Sequence, residues 1–64
     1  MANRVKERRK ELGKTQTWLA GKADVSRQTI VDIEQDRYKP RAEVAIKISR
    51  ALGRLCEELF SQDM

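Results

Sequence analysis

Thr15-Gln16-Thr17-Trp18-Leu19-Ala20-Gly21-Lys22-Ala23-Asp24-Val25-Ser26-Arg27-Gln28-Thr29-Ile30-Val31-Asp32-Ile33-Glu34 is the stretch on which the rest of the chain turns. It predicts two short helices joined by a tight turn. Thr15 can cap the first, about residues 16–22, which would bury Leu19, Ala20 and Ala23. Asp24 falls in the turn, where Asp tolerates left-handed backbone better than most non-glycine residues. Val25 is placed to plug the gap between the helices. Ser26 can cap the second, about residues 27–35, with Ile30 and Ile33 turned inward. Arg27 and Gln28 then lie in its first turn, and Val31 and Asp32 one turn further on. Arg can bond the O6/N7 edge of guanine, and Gln the N6/N7 edge of adenine. Val31 can touch a thymine methyl, and Asp32 can accept from a cytosine amino group or reject a phosphate. The same four residues would also serve as the solvated face of an ordinary amphipathic helix. The helix and turn before them favour base contact in the major groove of DNA.

Outward from this stretch the helical pattern continues. Val5, Arg9 and Leu12 share one face of a helix over about residues 3–12, with Gly13 as its stop. Asp36 to Pro40 is a polar loop. A fourth helix, about 41–52, would pack Val44, Ala45, Ile48 and Leu52 and end at Gly53. A short fifth, about 55–61, offers Cys56, Leu59 and Phe60. Gly21 inside the second helix costs roughly 1 kcal/mol relative to Ala. Trp18 is expected to be partly exposed and to cover the gap to a neighbouring helix. These elements describe an all-α, compact five-helix bundle in a single domain, 1–64.

The chain has 64 residues, with 14 Lys and Arg against 10 Asp and Glu, for a net charge of +4. Residues 1–32 hold eight basic and four acidic side chains and carry the whole surplus; residues 33–64 hold six of each. A basic half suits a polyanion such as DNA, and equally a solvated mixed-charge surface. A core this small is marginal alone, so oligomerisation is a plausible source of further stability. Cys56 is the single cysteine and there is no histidine, so neither a disulfide framework nor a zinc site is expected. No Gly-rich phosphate loop and no nucleophile–base pair is present, which argues against an enzyme and against a cofactor. No apolar run approaches spanning length and no signal-peptide pattern opens the chain, so a cytoplasmic protein away from membranes is expected.

Phosphate contacts have their own candidates. Thr15 and Gln16 open the second helix, where free N–H groups and the positive dipole end can seat a phosphate. Thr29 stands one residue beyond Gln28. Arg37, Lys39 and Arg41 cluster in and just after the loop that follows the third helix.

Thr15-Gln16, Leu19-Ala20, Val25 to Ile30, Ile33-Glu34, Tyr38-Lys39-Pro40, Ala51-Leu52-Gly53 and Glu57-Glu58-Leu59-Phe60 together resemble the phage-repressor and Cro helix-turn-helix family, also called the xenobiotic-response-element family. The similarity runs from about Asn3 to Phe60 and is closest to the short stand-alone bacterial and archaeal members. It implies a lambda-repressor-like DNA-binding domain whose third helix enters the major groove. By the same resemblance, Arg27, Gln28 and Asp32 fall where members read bases. Gln16 would contact phosphate and brace Gln28, and Arg9 and Glu34 would pair between the first and third helices. A homodimer on a near-palindromic operator is implied as well. Leu55, Leu59 and Phe60 are candidates for its interface, although Leu59 and Phe60 serve equally to close the monomer core.

Some positions depart from the pattern. Arg8 and Lys14 stand where Leu is common, which thins the core under the first helix. Gln35-Asp36 replaces a usual Asn-Gly, so Asp36 would take a strained backbone. Leu55 replaces a frequent Ser cap, which leaves the start of the last helix without its usual signal. The expected function is a sequence-specific double-stranded DNA-binding transcriptional regulator, most simply a repressor. An antitoxin or restriction-system controller on the same fold is the alternative, and a protein-interaction or RNA-binding module a third.

Overall fold

Thr15 and Ser26 open their helices through their own side chains. In the computed structural model, which describes residues 3–60, Thr15 Oγ1 accepts from the Trp18 N–H at 3.0 Å at the head of α2 (Gln16–Ala23). Ser26 Oγ accepts from the Thr29 N–H at 3.1 Å at the head of α3 (Arg27–Glu34). Each bond satisfies a backbone donor that the helix itself leaves unpaired. Around this pair stand α1 (Val5–Glu11), α4 (Ala42–Leu52) and α5 (Cys56–Phe60). The described residues are helices and turns with no strand, in the all-α, five-helix arrangement expected.

Packing places α2 between α3 and α4, with α1 against α3 and α5 against α4. The core is built from one face of each helix. Leu19, Ala20 and Ala23 come from α2, Ile30 and Ile33 from α3, and Val44, Ile48 and Leu52 from α4. Val5 and Leu59 close it from the two ends of the chain. Each large aliphatic side chain buried here contributes about 1.5–3 kcal/mol relative to exposure. Trp18, near the head of α2, and Val25, in the turn that follows it, pack on its edge and are half-buried.

Four helices end in the same way, on a residue in left-handed backbone. These are Gly13 (φ 69°), Asp24 (φ 60°), Asp36 (φ 63°) and Gly53 (φ 67°). After each, the next N–H reaches back into the last turn. Lys14 donates to the Arg9 carbonyl at 3.1 Å, Val25 to Ala20 at 3.0 Å, Arg37 to Asp32 at 2.8 Å and Arg54 to Ser49 at 3.1 Å. This closure satisfies carbonyls that the helix end leaves free, and it favours glycine. The two helices that matter most for function, α2 and α3, end on aspartate instead, at a steric cost that glycine would avoid.

Asp36→Gly should therefore raise stability by about 0.5–1 kcal/mol, a gain of several degrees in Tm for a domain of this size. Gly21→Ala should add a similar amount. A Cβ at Gly21 meets nothing within 4 Å, so glycine there relieves no clash and only weakens the helix. Thermal unfolding followed by circular dichroism measures both, and an unchanged Tm for Asp36→Gly would mean that its backbone stores no strain.

The first helix departs from its expected apolar stripe. It stops at Glu11, which leaves Leu12 beyond the last turn and 36% exposed rather than in the core. Val5 is its one buried apolar side chain. Polar bonds hold the helix instead. Asn3 Oδ1 accepts from the Val5 N–H at 3.0 Å, while its Nδ2 donates to the Ile33 carbonyl of α3 at 2.7 Å. The Arg4 N–H donates to the Leu59 carbonyl at 2.9 Å. Arg8, standing where Leu is common, donates through Nε to the Leu52 carbonyl at 2.8 Å. That bond satisfies the C-terminal end of α4, where the helix dipole also favours a cation.

The last helix replaces its missing Ser cap from the other side. Glu58 Oε1 accepts from the Leu55 N–H at 2.9 Å, the reciprocal half of a capping box. Cys56 Sγ donates to the Ala45 carbonyl at 3.4 Å and ties α5 to α4. Leu59 corrects the dimer expectation. At 2% exposure it is spent on the core of its own chain and has no surface to offer a partner. Phe60 is half-buried against the same core, whereas Leu55 is 63% exposed.

Candidate nucleic-acid interface

The side of α3 opposite Ile30 and Ile33 carries Arg27, Gln28, Val31 and Asp32, the four residues proposed from sequence for base contact. Arg27 and Gln28 are exposed and Val31 and Asp32 half-buried. They lie at helical positions one and two, then five and six, so that they form one continuous face. Arg27 makes no bond to any described residue and keeps its guanidinium free. Gln28 Nε2 donates to Asp32 Oδ1 at 3.1 Å, and Arg37 Nη1 stands 3.7 Å from the same oxygen. Arg37 also donates to Gln35 Oε1.

A buried ion pair anchors the C-terminal end of α3, along the flank of this face. Arg9 Nε donates to Glu34 Oε2 at 2.7 Å and Arg9 Nη2 to Glu34 Oε1 at 3.2 Å, a two-pronged contact. The two side chains are 8% and 1% exposed. Arg9 Nη1 also donates to the Lys14 carbonyl at 2.7 Å, and Gln16 Nε2 donates to Glu34 Oε1 at 3.1 Å. One carboxylate thus joins α1, the head of α2 and the end of α3. Buried charges persist only when their donors and acceptors are met in this way.

Gln16 differs here from its expected role as a brace for Gln28. Its amide serves Glu34, and Gln28 is held by Asp32. A buried carboxylate is the stronger acceptor, so it captures the amide that a neutral neighbour would otherwise share. Thr15 is occupied as the α2 cap but retains its hydroxyl proton as a donor. Thr29 is half-buried, and its hydroxyl lies 2.9 Å from Ser26 Oγ within the α3 cap. Beyond the loop, Lys39 is exposed with no bond to a described residue. Arg41 is exposed at the head of α4, its Nε 4.0 Å from Glu43. The heads of α2 and α3 and the loop cations therefore flank the α3 face from both ends of that helix.

A family model described as helix-turn-helix matches residues 5–59. The chain belongs to this helix-turn-helix family, of the xenobiotic-response-element type. It is similar to an uncharacterised HTH-type transcriptional regulator of Methanothermobacter thermautotrophicus, 47% identical over 98% of this chain and 93% of that one. A second relative, the uncharacterised HTH-type transcriptional regulator YgzD of Bacillus subtilis, is 38% identical over 94% of this chain and 91% of its own. The immunity repressor protein of Bacillus phage phi105 is 43% identical over 83% of this chain and 37% of its own length. The family and these relatives are transcriptional regulators, not enzymes.

Within this helix-turn-helix protein, three residues that sequence reading passed over matter to the architecture. Asn3 and Glu58 supply caps from side chains several residues away from the obvious Ser and Thr signals. Ile46 is 44% exposed on α4. Its signal was available, since it falls two residues away from the Val44–Ile48–Leu52 stripe and so on the outer side of the helix. Trp18 covers the seam between α2 and α4, with Lys14 Nζ 5.2 Å and Lys22 Nζ 5.8 Å from its ring centre. Cations held over an indole face at these distances are attracted by its quadrupole.

Proposed function

We propose that this chain is a sequence-specific double-stranded DNA-binding transcriptional regulator that acts as a repressor in the cytoplasm. The observation that carries this is the solvent-accessible α3 face of Arg27, Gln28, Val31 and Asp32, on a helix whose end a buried ion pair ties to α1. Arg27 takes guanine, Gln28 adenine, and Val31 a thymine methyl. Thr15, Gln16, Thr29, Arg37, Lys39 and Arg41 contact the phosphates on either side and set the register. The phage immunity repressor among the relatives supports repression, which a bound domain achieves by occluding a promoter.

The functional unit is a homodimer on a near-palindromic operator. One α3 spans too few base pairs to single out a site in a genome, and two copies double the readout. Leu55, just before α5, and Ile46, on α4, are exposed apolar residues, and the Cys56–Ala45 bond joins those two elements. Phe60 lies at the edge of the same region. Leu55→Glu should leave the fold intact and yield a monomer by sedimentation, with operator binding reduced to that of a half-site. A wild-type chain that sediments as a monomer at high concentration, and binds a single half-site as tightly as a full operator, would overturn the dimer.

Selection of bound sequences from a random duplex pool tests the whole function. The expected product is a pair of inverted half-sites about 10 base pairs apart, centre to centre. Enrichment of no sequence at all would sink it.

A further inference from the structure

Asp32 binds two neighbours through a single oxygen. Its Oδ1 accepts from Gln28 Nε2 at 3.1 Å and lies 3.7 Å from Arg37 Nη1. Among the described residues, no donor reaches Oδ2. A carboxylate only accepts, so the Gln28 amide must turn its NH2 group toward it. One Nε2 hydrogen is then spent on Asp32. The other Nε2 hydrogen and Oε1 meet no described residue, and the two share one edge of the amide plane when the hydrogen trans to Oε1 is the one given to Asp32.

We propose that Gln28 and Asp32 form one base-reading unit, in which Asp32 sets the orientation of the Gln28 amide and itself reads the cytosine amino group of a neighbouring base pair. This rests on α3 entering the major groove, as proposed above. The free edge of Gln28 offers an acceptor and a donor side by side, which adenine N6 and N7 match. Asp32 Oδ2 offers only an acceptor. In the major groove, adenine N6 and cytosine N4 are the base donors, and adenine places the N7 acceptor beside its amino group. A carboxylate is repelled by that N7 lone pair and not by cytosine. The unit therefore selects an A·T pair under Gln28 and a G·C pair under Asp32. Arg37 offsets the charge of Asp32, which makes a carboxylate tolerable close to the phosphates. Without Asp32, the Gln28 amide turns freely and presents either end to the groove.

The test is random-duplex selection run in parallel with wild type, Gln28→Ala, Asp32→Ala and Asp32→Asn, each checked for native circular dichroism. The position that relaxes in Gln28→Ala identifies the pair read by Gln28, which should be A·T. Asp32→Ala should relax a second position, a G·C pair, and also cut the A·T preference at the first about fivefold or more. Asp32→Asn keeps an acceptor for Gln28, so the A·T preference should survive while the G·C preference falls. In a Gln28→Ala background, Asp32→Ala should affect only its own position. An A·T preference that survives Asp32→Ala, or an A·T pair at the position that Asp32 controls, overturns the unit and leaves DNA reading in place. A wild-type chain that enriches no sequence takes both down together.

Discussion

Arg9→Met is expected to lower the stability of the folded chain by about 3–5 kcal/mol, the usual cost of stranding one member of a buried ion pair. The Glu34 side chain is 1% exposed, so without Arg9 its charge has neither water nor a cation to answer it. A domain of this length has a total stability on the order of 3–10 kcal/mol, so the single variant should lose from about a third of its stability to all of it. Arg9→Met combined with Glu34→Leu should recover much of the loss, because the charge that needed a partner has gone. Recovery should stop short of wild type. The Lys14 carbonyl and the Gln16 amide each lose a partner in the double variant, at a cost of about 1 kcal/mol apiece. Urea unfolding of the wild type, both single variants and the double variant measures this. Additive losses would show that the two residues do not stabilise each other.

On the DNA side, Arg27→Ala should weaken binding to the best operator by about 1–3 kcal/mol, from fivefold to more than a hundredfold, and relax the preference at one base pair. The fold should hardly notice, since Arg27 is exposed and bonds no described residue. Lys39→Ala and Arg37→Ala should behave differently. Each should flatten the dependence of binding on salt by about one unit, and Lys39→Ala should weaken all sequences alike. Binding isotherms on operator and scrambled duplex at several salt concentrations separate the two kinds of contact. Equal weakening of every sequence by Arg27→Ala would move that residue from base to phosphate. An unchanged salt slope would remove Arg37 or Lys39 from the interface.

Much of this molecule was legible in the order of its residues. The Thr15 and Ser26 caps, the inward Leu19, Ile30, Ile33, Ile48 and Leu52, and the stops at Gly13, Asp24 and Gly53 are local signals. Each depends on residues within one or two helical turns, which is the range over which capping and apolar periodicity act. Five helices, their approximate bounds and the face of α3 that carries Arg27, Gln28, Val31 and Asp32 follow from those signals alone.

Only the tertiary structure decided where the long polar side chains go. Gln16 turned to Glu34, Arg8 found the end of α4, Asn3 reached the end of α3, and Asp32 gathered Gln28 and Arg37. Leu59 went inside and Leu55 stayed out, although Leu55 immediately precedes the short helix that carries Leu59. A flexible charged or amide side chain can meet many partners at similar local cost. Which one it keeps depends on which carbonyls and carboxylates packing has cut off from water, and burial of that kind exists only once distant segments have come together.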